Sequence, residues 1–176
     1  QMNAGAFGGE TWDRVLAVTC VNRQGEILQR TREDFEIGYR QVIPRAHKAA
    51  QEGFFGATFL LTRSNNSEKI TDNIRALIQK RNKTQPIGTF NCGSVFKNPP
   101  GDHAARLIEC AGLKGLRQGD AVVSTKHANF IINEGKAKAC DVETLIQHIQ
   151  SEVFTKFQIH LKTEVHIIGI KEGDCL

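Results

Sequence analysis

Two textures of hydrophobic patterning divide this chain. In the first, residues 14–22, R-V-L-A-V-T-C-V-N, are rich in β-branched side chains and predict a strand. Arg23, Gln24 and Gly25 predict a turn, and residues 26–30, centred on Ile27 and Leu28, predict the return strand of a hairpin. Thr31, with Asp34 at the third position beyond it, predicts a short capped turn over 31–35. Residues 44–53 read as a polar connection, and residues 54–62, F-F-G-A-T-F-L-L-T, predict a strand closing the same small sheet. A break comes next at 64–67, and it is the expected domain boundary.

The second texture is helical. Ile70, Ile74, Leu77 and Ile78 recur at the helical period and predict a helix over 67–81. Ser67 is its expected N-cap, and Lys80, Arg81 and Lys83 lie near its end, where the helix dipole favours cations. A helix over 104–111 buries Leu107 and Ile108 and ends at Gly112. Short strands are expected at 121–124 and 128–133, the second mostly apolar and central. A helix over 139–157 carries the stripe Val142, Leu145, Ile146, Ile149 and Val153, with Asp141 near its start. Residues 164–170, E-V-H-I-I-G-I, predict the last strand. The expected class is α+β, with a mixed α/β unit as its second part.

Composition narrows the function classes. The chain has 176 residues, 40% hydrophobic and 24% charged, which fits one large domain or one domain plus part of another. The net charge of +4 comes from 23 basic and 19 acidic residues, with no block of like charges. With only one Trp and one Tyr, the interleaved aromatics of a single-strand nucleic-acid binder are missing. A basic pocket for a phosphorylated small molecule explains the charge equally well. Cys20, Cys92, Cys110, Cys140 and Cys175 form no C-x-x-C pair and fit a reducing cytoplasm. No apolar run approaches the roughly 18 residues of a membrane span, and six histidines lack metal-site spacing. The chain opens on Gln1, within a stretch that looks like the inside of a domain, so a fragment is expected.

Candidate chemistry gathers in residues 91–100, N-C-G-S-V-F-K-N-P-P. Gly93 permits a tight turn, Ser94 offers a hydroxyl, Lys97 a charge and Asn98 a planar amide. Pro99 and Pro100 stiffen the exit from the segment. The segment reads as a rigid loop holding an anion against a serine, or as an ordinary tight connection. Residues 2–9, M-N-A-G-A-F-G-G, let backbone lie flush against a flat ligand or phosphate, or form a plain loop. Tyr39 and Arg40 together suit a carboxylate or phosphate clamp. His127 is a candidate base or ligand, and Glu164 a carboxylate opening an apolar strand; both also suit structural roles. These patterns give an anion site with a nearby hydroxyl and stop short of a reaction.

An ordered set of motifs carries further. G-S-V-F-K-N-P-P-G-D, R-L-I-E-C-A-G-L-K-G, K-H-A-N-F-I-I-N and E-V-H-I-I-G, with M-N-A-G-A-F-G-G-E and G-Y-R upstream, resemble the UDP-N-acetylenolpyruvoylglucosamine reductases nearly end to end. The pattern is closest to the shorter variety, which lacks an extra tyrosine-bearing loop. The resemblance implies a flavoprotein of bacterial cell-wall synthesis that moves hydride from NADPH through FAD to UDP-N-acetylglucosamine enolpyruvate. It implies residues 1–63 as the C-terminal remainder of the FAD-binding domain and 64–176 as the substrate-binding domain. Ser94 then corresponds to the proton donor, Arg40 to the residue holding the substrate carboxylate, and Glu164, as an acid, to a donor toward the same developing charge. Asn98 corresponds to a nucleotide contact, with Tyr39, Lys83 and His127 as further substrate-binding candidates. Asn3, Ala4, Gly5, Ala6, Gly8 and Gly9 would lie along the flavin.

Two departures mark the last strand: Thr163 stands where the family commonly has proline, and His166 where arginine is common. The larger departure is length. The family carries an N-terminal half of the flavin domain, so this chain is expected to be inactive alone. The alternative is a non-catalytic UDP-sugar-binding fragment without flavin.

Overall fold

A computed structural model describes residues 1–46 and 51–169. Packing divides the chain into two units, Gln1–Leu77 and Ile78–Leu176, and each is described by itself.

The first unit is a set of small antiparallel sheets. Strands β1 (Gly5–Ala6) and β2 (Gly9–Glu10) pair with each other and lead into a 3₁₀ turn, Thr11–Asp13. Strands β3 (Val15–Val21) and β4 (Ile27–Thr31) form the expected hairpin. The Thr31 to Asp34 signal becomes a 3₁₀ turn, Arg32–Asp34, with Asp34 accepting the Thr31 N–H at 2.7 Å. Strands β5 (Phe35–Gly38) and β6 (Gln41–Pro44) pair around Tyr39 and Arg40. Strand β7 (Gly53–Phe59) joins β3, giving the order β4-β3-β7. Part of the expected connection over 44–53 lies outside the described residues.

The core of this unit is aromatic. Trp12, Phe35 and Phe54 meet with ring centroids 5.2, 5.5 and 6.2 Å apart, in tilted or edge-on geometry. Val18 and Cys20 close it from β3. The Arg30 guanidinium forks onto the nearly buried Glu52 carboxylate at 2.6 and 3.0 Å, and this bond holds Glu52 below the usual carboxylate range. Leu16, Phe55, Leu60 and Leu61 remain exposed.

Helix α1 (Ser67–Thr84) runs longer than expected and spans the division between the units. Its cap is Asn66, whose carboxamide oxygen accepts the Lys69 N–H at 2.8 Å; Ser67 already lies inside the helix. Ile70, Ile74, Leu77 and Ile78 set its period correctly, yet all four are exposed.

The second unit is aliphatic. Strands β8 (Phe90–Asn91), β9 (Arg117–Gln118), β10 (Ala121–Val123) and β11 (Ile131–Asn133) form an antiparallel sheet in the order β8-β11-β10-β9. Helix α2 (Ala104–Cys110) ends at Gly112, and helix α3 (Ala139–Phe157) packs on β9, β10 and α2. Asp141 accepts the Lys138 N–H at 2.9 Å at the start of α3. Leu107, Ile108, Leu145, Ile149 and Val153 share one buried core with Val95 and Phe96.

Two sequence expectations fail here. The strand expected over 128–133 starts only at Ile131, because Phe130 donates to the His127 carbonyl at 3.0 Å and turns the chain. Residues 164–169 form no strand. The Val95 carbonyl takes the N–H groups of both Glu164 and Val165, at 2.8 and 3.4 Å, which bends the backbone out of a ladder. Beyond that bend Ile167 and Ile168 are exposed, and Ile170 lies outside the described residues.

This packing yields two predictions. Trp12→Ala removes one ring of the trio and is expected to cost about 3–5 kcal/mol; a loss under about 1 kcal/mol in urea unfolding would show that the trio is no core. The Arg106 fork and the His103 N–H hold the half-buried Asp102 carboxyl down to about 2. Whatever stability this gives is present above the ordinary carboxylate range and disappears as pH falls through about 2. A carbon-detected NMR titration of Asp102 should show that midpoint, and Arg106→Ala should return it toward 3.8.

Candidate active site

The Ser94 loop is irregular backbone held from both sides. The Asn91 side chain starts it, accepting the Gly93 N–H at 2.9 Å and donating to Thr89 Oγ1 at 2.8 Å. Gly93 adopts φ 81°, the left-handed region that favours glycine, with open space where a Cβ would point. Ser94 is half-buried, and the next two residues, Val95 and Phe96, plunge into the core. On one flank, the Val95 N–H donates to the Asn129 carbonyl at 2.9 Å. The Asn129 carboxamide accepts the Phe96 N–H at 2.9 Å and donates to the Phe96 carbonyl at 2.8 Å. On the other flank, the Lys97 N–H donates to the Lys162 carbonyl at 2.9 Å, and Phe96 bridges Thr163.

This flank brings Ser94 and Glu164 into one framework. Glu164 is half-buried, and its N–H is bonded to the residue immediately after Ser94. Lys97 is half-buried as well. Asn98 is exposed, and its carboxamide oxygen accepts the Ala104 N–H at 3.1 Å, capping α2.

His127 sits on a neighbouring turn. The Ser124 hydroxyl, itself buried, accepts the N–H groups of Lys126 and His127, each at 3.2 Å. The imidazole packs edge-on to Phe130 with centroids 4.8 Å apart, and its Nδ1 accepts the Asn129 N–H at 3.3 Å. Burial pushes this imidazole below its ordinary 6.5, and the nearby Lys114 charge acts in the same direction. The neutral ring with Nδ1 accepting carries its proton on Nε2 and presents a donor. Lys126 donates from Nζ to the Asn82 carbonyl at 2.6 Å, tying this turn to the end of α1, where Lys83 lies exposed.

The first unit holds the other candidates together at Asn3, which is buried. Its carboxamide donates to Glu10 at 2.5 Å and to the Gly38 carbonyl at 3.0 Å, and accepts the Trp12 N–H at 3.0 Å. The Arg40 guanidinium donates to the Asn3 carbonyl at 3.4 Å and lies 5.0 Å from the Tyr39 ring centroid. Asn3, Phe7 and Arg40 have φ of 43, 54 and 56°, so three non-glycine residues sit in the left-handed region. Ala4 and Ala6 are exposed, and a Cβ added at Gly8 would meet nothing within 4 Å. Gly5 is tight instead, its added Cβ falling 3.0 Å from the Gly9 carbonyl.

Sequence reasoning missed Asn129 and Ser124. Asn129 interrupts the apolar run A-N-F-I-I-N and Ser124 ends the run A-V-V-S, weak signals that name no partner. Among the described residues no three His, Cys, Asp or Glu side chains gather as metal ligands, and no helix is long and apolar enough to cross a membrane.

Residues 85–168 match the family model described as UDP-N-acetylenolpyruvoylglucosamine reductase, C-terminal domain. Curated proteins named UDP-N-acetylenolpyruvoylglucosamine reductase are similar along nearly the whole chain. That of Coxiella burnetii (strain Dugway 5J108-111) is 53% identical over 168 residues, covering 96% of this chain and 52% of the relative. That of Alkalilimnicola ehrlichii is 52% identical, covering 96% of this chain and 55% of the relative. A crystal structure of UDP-N-acetylenolpyruvylglucosamine reductase from Thermus caldophilus superposes with a TM-score of 0.78 at 32% identity, covering 94% of this chain and 57% of that one. The chain spans about half the length of the curated relatives it matches. With this fold, this loop and these relatives, the chain belongs to the UDP-N-acetylenolpyruvoylglucosamine reductase family and corresponds to the family's C-terminal part.

Proposed function

We propose that this chain supplies the substrate domain and part of the flavin domain of a cytoplasmic oxidoreductase of peptidoglycan precursor synthesis. Residues 1–63 form the remainder of the FAD-binding domain and residues 64–176 the domain that binds UDP-N-acetylglucosamine enolpyruvate. The observation that carries this reading is the backbone bonding that holds Ser94 and Glu164 in one framework, inside the segment matched by the family model.

The glycine-rich stretch suits a flavin. Gly8 and Gly9 offer bare backbone, with open space at Gly8 and only the Asp13 carboxylate, 3.9 Å away, facing Gly9. FAD, when bound, supplies the relay of hydride from NADPH to the terminal vinyl carbon of the enolpyruvyl group. The chain's own residues do the rest. Arg40 holds the substrate carboxylate as negative charge develops beside it, an electrostatic contribution that often dominates catalysis. Ser94 gives its proton to the carbon bearing that carboxylate. Glu164, as an acid, donates toward the same charge. Asn98, Lys83, Tyr39 and His127 hold the nucleotide end, with His127 offering its Nε2–H.

One observation favours a second reading, that this chain alone is a UDP-sugar-binding fragment. Leu16, Phe55, Leu60 and Leu61 of the first unit are exposed, apolar surface that suits a covering segment or partner. Colour separates the two. A yellow purified chain supports flavin retention, whereas a colourless one that still binds the UDP-sugar by calorimetry supports the second.

Two substitutions in the full-length protein carrying this chain test the roles. Ser94→Ala should leave reduction by NADPH unchanged and slow reoxidation by substrate about 10²–10⁴-fold. Normal reoxidation in stopped flow would remove Ser94 as the proton donor. Arg40→Ala should lower kcat about 10²–10³-fold with little change in melting temperature. A variant that melts far earlier yet turns over normally would end the carboxylate assignment.

A further inference from the structure

We infer that Asn129 is the positioning residue for Ser94, an inference that rests on the reading of Ser94 as proton donor. Three features single it out. Asn129 is 4% exposed, and a buried carboxamide is costly unless its polar atoms are paired. Its side chain pairs with both backbone groups of one residue, Phe96, 33 positions away in sequence. Its own carbonyl accepts the N–H of Val95, so three bonds from one residue hold the two residues just after Ser94.

No ladder on this flank holds the loop. Among the described residues, its one regular β pairing between β8 and α2 is the Phe96 to Thr163 bridge on the opposite side. The Asn129 carboxamide therefore takes the place of a neighbouring strand, and it fixes backbone two residues from the reacting hydroxyl. Removing it leaves the N–H and carbonyl of Phe96, which is 1% exposed, without these partners. The backbone must then shift to regain partners, and Ser94 shifts with it. A displacement of about 1 Å at a reacting group costs on the order of 10²-fold in rate.

The test is a double-mutant comparison in the full-length holoenzyme, read by its two half-reactions. Asn129→Ala should slow flavin reoxidation by substrate about 10- to 100-fold and leave reduction by NADPH within about twofold. On a Ser94→Ala background the same change should add less than about a further twofold, because a misplaced hydroxyl cannot be lost twice. A merely structural asparagine would lower the melting temperature and slow both half-reactions, or add its full effect on the Ser94→Ala background; either result overturns the inference while leaving Ser94 in its role. A Ser94→Ala enzyme that reoxidises normally overturns both assignments at once. Should Asn129→Ala not fold, Asn129→Ser is compared in the same way. Hydrogen exchange of the unsubstituted protein gives a further check: the Phe96 amide should be among its slowest, and fast exchange there overturns the inference.

Discussion

The carboxamide of Asn129, closed onto both backbone groups of Phe96, is the interaction that holds the loop bearing Ser94, and on the proposed reading the second unit's chemistry depends on it. The loop bearing Ser94 has to place Val95 and Phe96 in an aliphatic core while keeping Ser94 and Lys97 near the surface. A segment that enters and leaves a core within four residues cannot form a helix or a long strand. Its buried N–H and carbonyl groups still need partners. The side chain supplies them from one flank, and residues 162–165 supply them from the other. The same device recurs. Asn3, Ser124 and Asn129 are the buried polar side chains among the described residues, and each pins irregular backbone that carries candidate site residues.

The two units solve the core problem differently, and the difference bears on function. The second unit buries side chains of α2, α3, β10 and β11 together in one core. Its loops can then vary in shape on a scaffold that does not. The first unit closes a small core with three aromatic rings and leaves Leu16, Phe55, Leu60 and Leu61 facing outward. Its glycine-rich stretch and its Tyr39 to Arg40 turn are stitched together through Asn3 rather than through a broad apolar layer.

Legibility of the fold tracks the locality of the signal. The helix Ala139–Phe157 is readable because its stripe and its Asp141 cap are local and agree. The capped turn at Arg32–Asp34 is readable for the same reason. The last strand misleads because an apolar run shows that a segment suits a sheet, not that a neighbour has N–H and carbonyl groups to offer; here Val95 uses one carbonyl for two donors. The hairpin of β5 and β6 is hidden because Tyr39 and Arg40 occupy its turn, where glycine or asparagine is the usual mark. In α1 the cap lies one residue before the expected one, since Asn66 and Ser67 both carry capping side chains. Ser94, Glu164 and Arg40 stand out through motif resemblance. Asn129 does not, because an asparagine in an apolar run reads as one more strand position until its partners are known.

The turn at Arg40 shows why such positions resist reading. An arginine at φ 56° is strained, of order 1 kcal/mol or more, where a glycine would be relaxed. Hairpin geometry alone therefore favours losing the side chain. The strain persists because the surroundings hold it: Asn3 accepts the guanidinium through its carbonyl and grips Gly38 through its carboxamide, so the turn is fixed from two sides. Asn3 itself sits at φ 43°, which means that one strained residue is held by another. A fold selected for stability alone would place glycine at the Arg40 position. Keeping the arginine makes sense if its guanidinium is needed at that spot, and on the proposed reading the need is a carboxylate whose negative charge grows during the reaction. The cost is borne by the folded state, and the benefit appears only when substrate is bound.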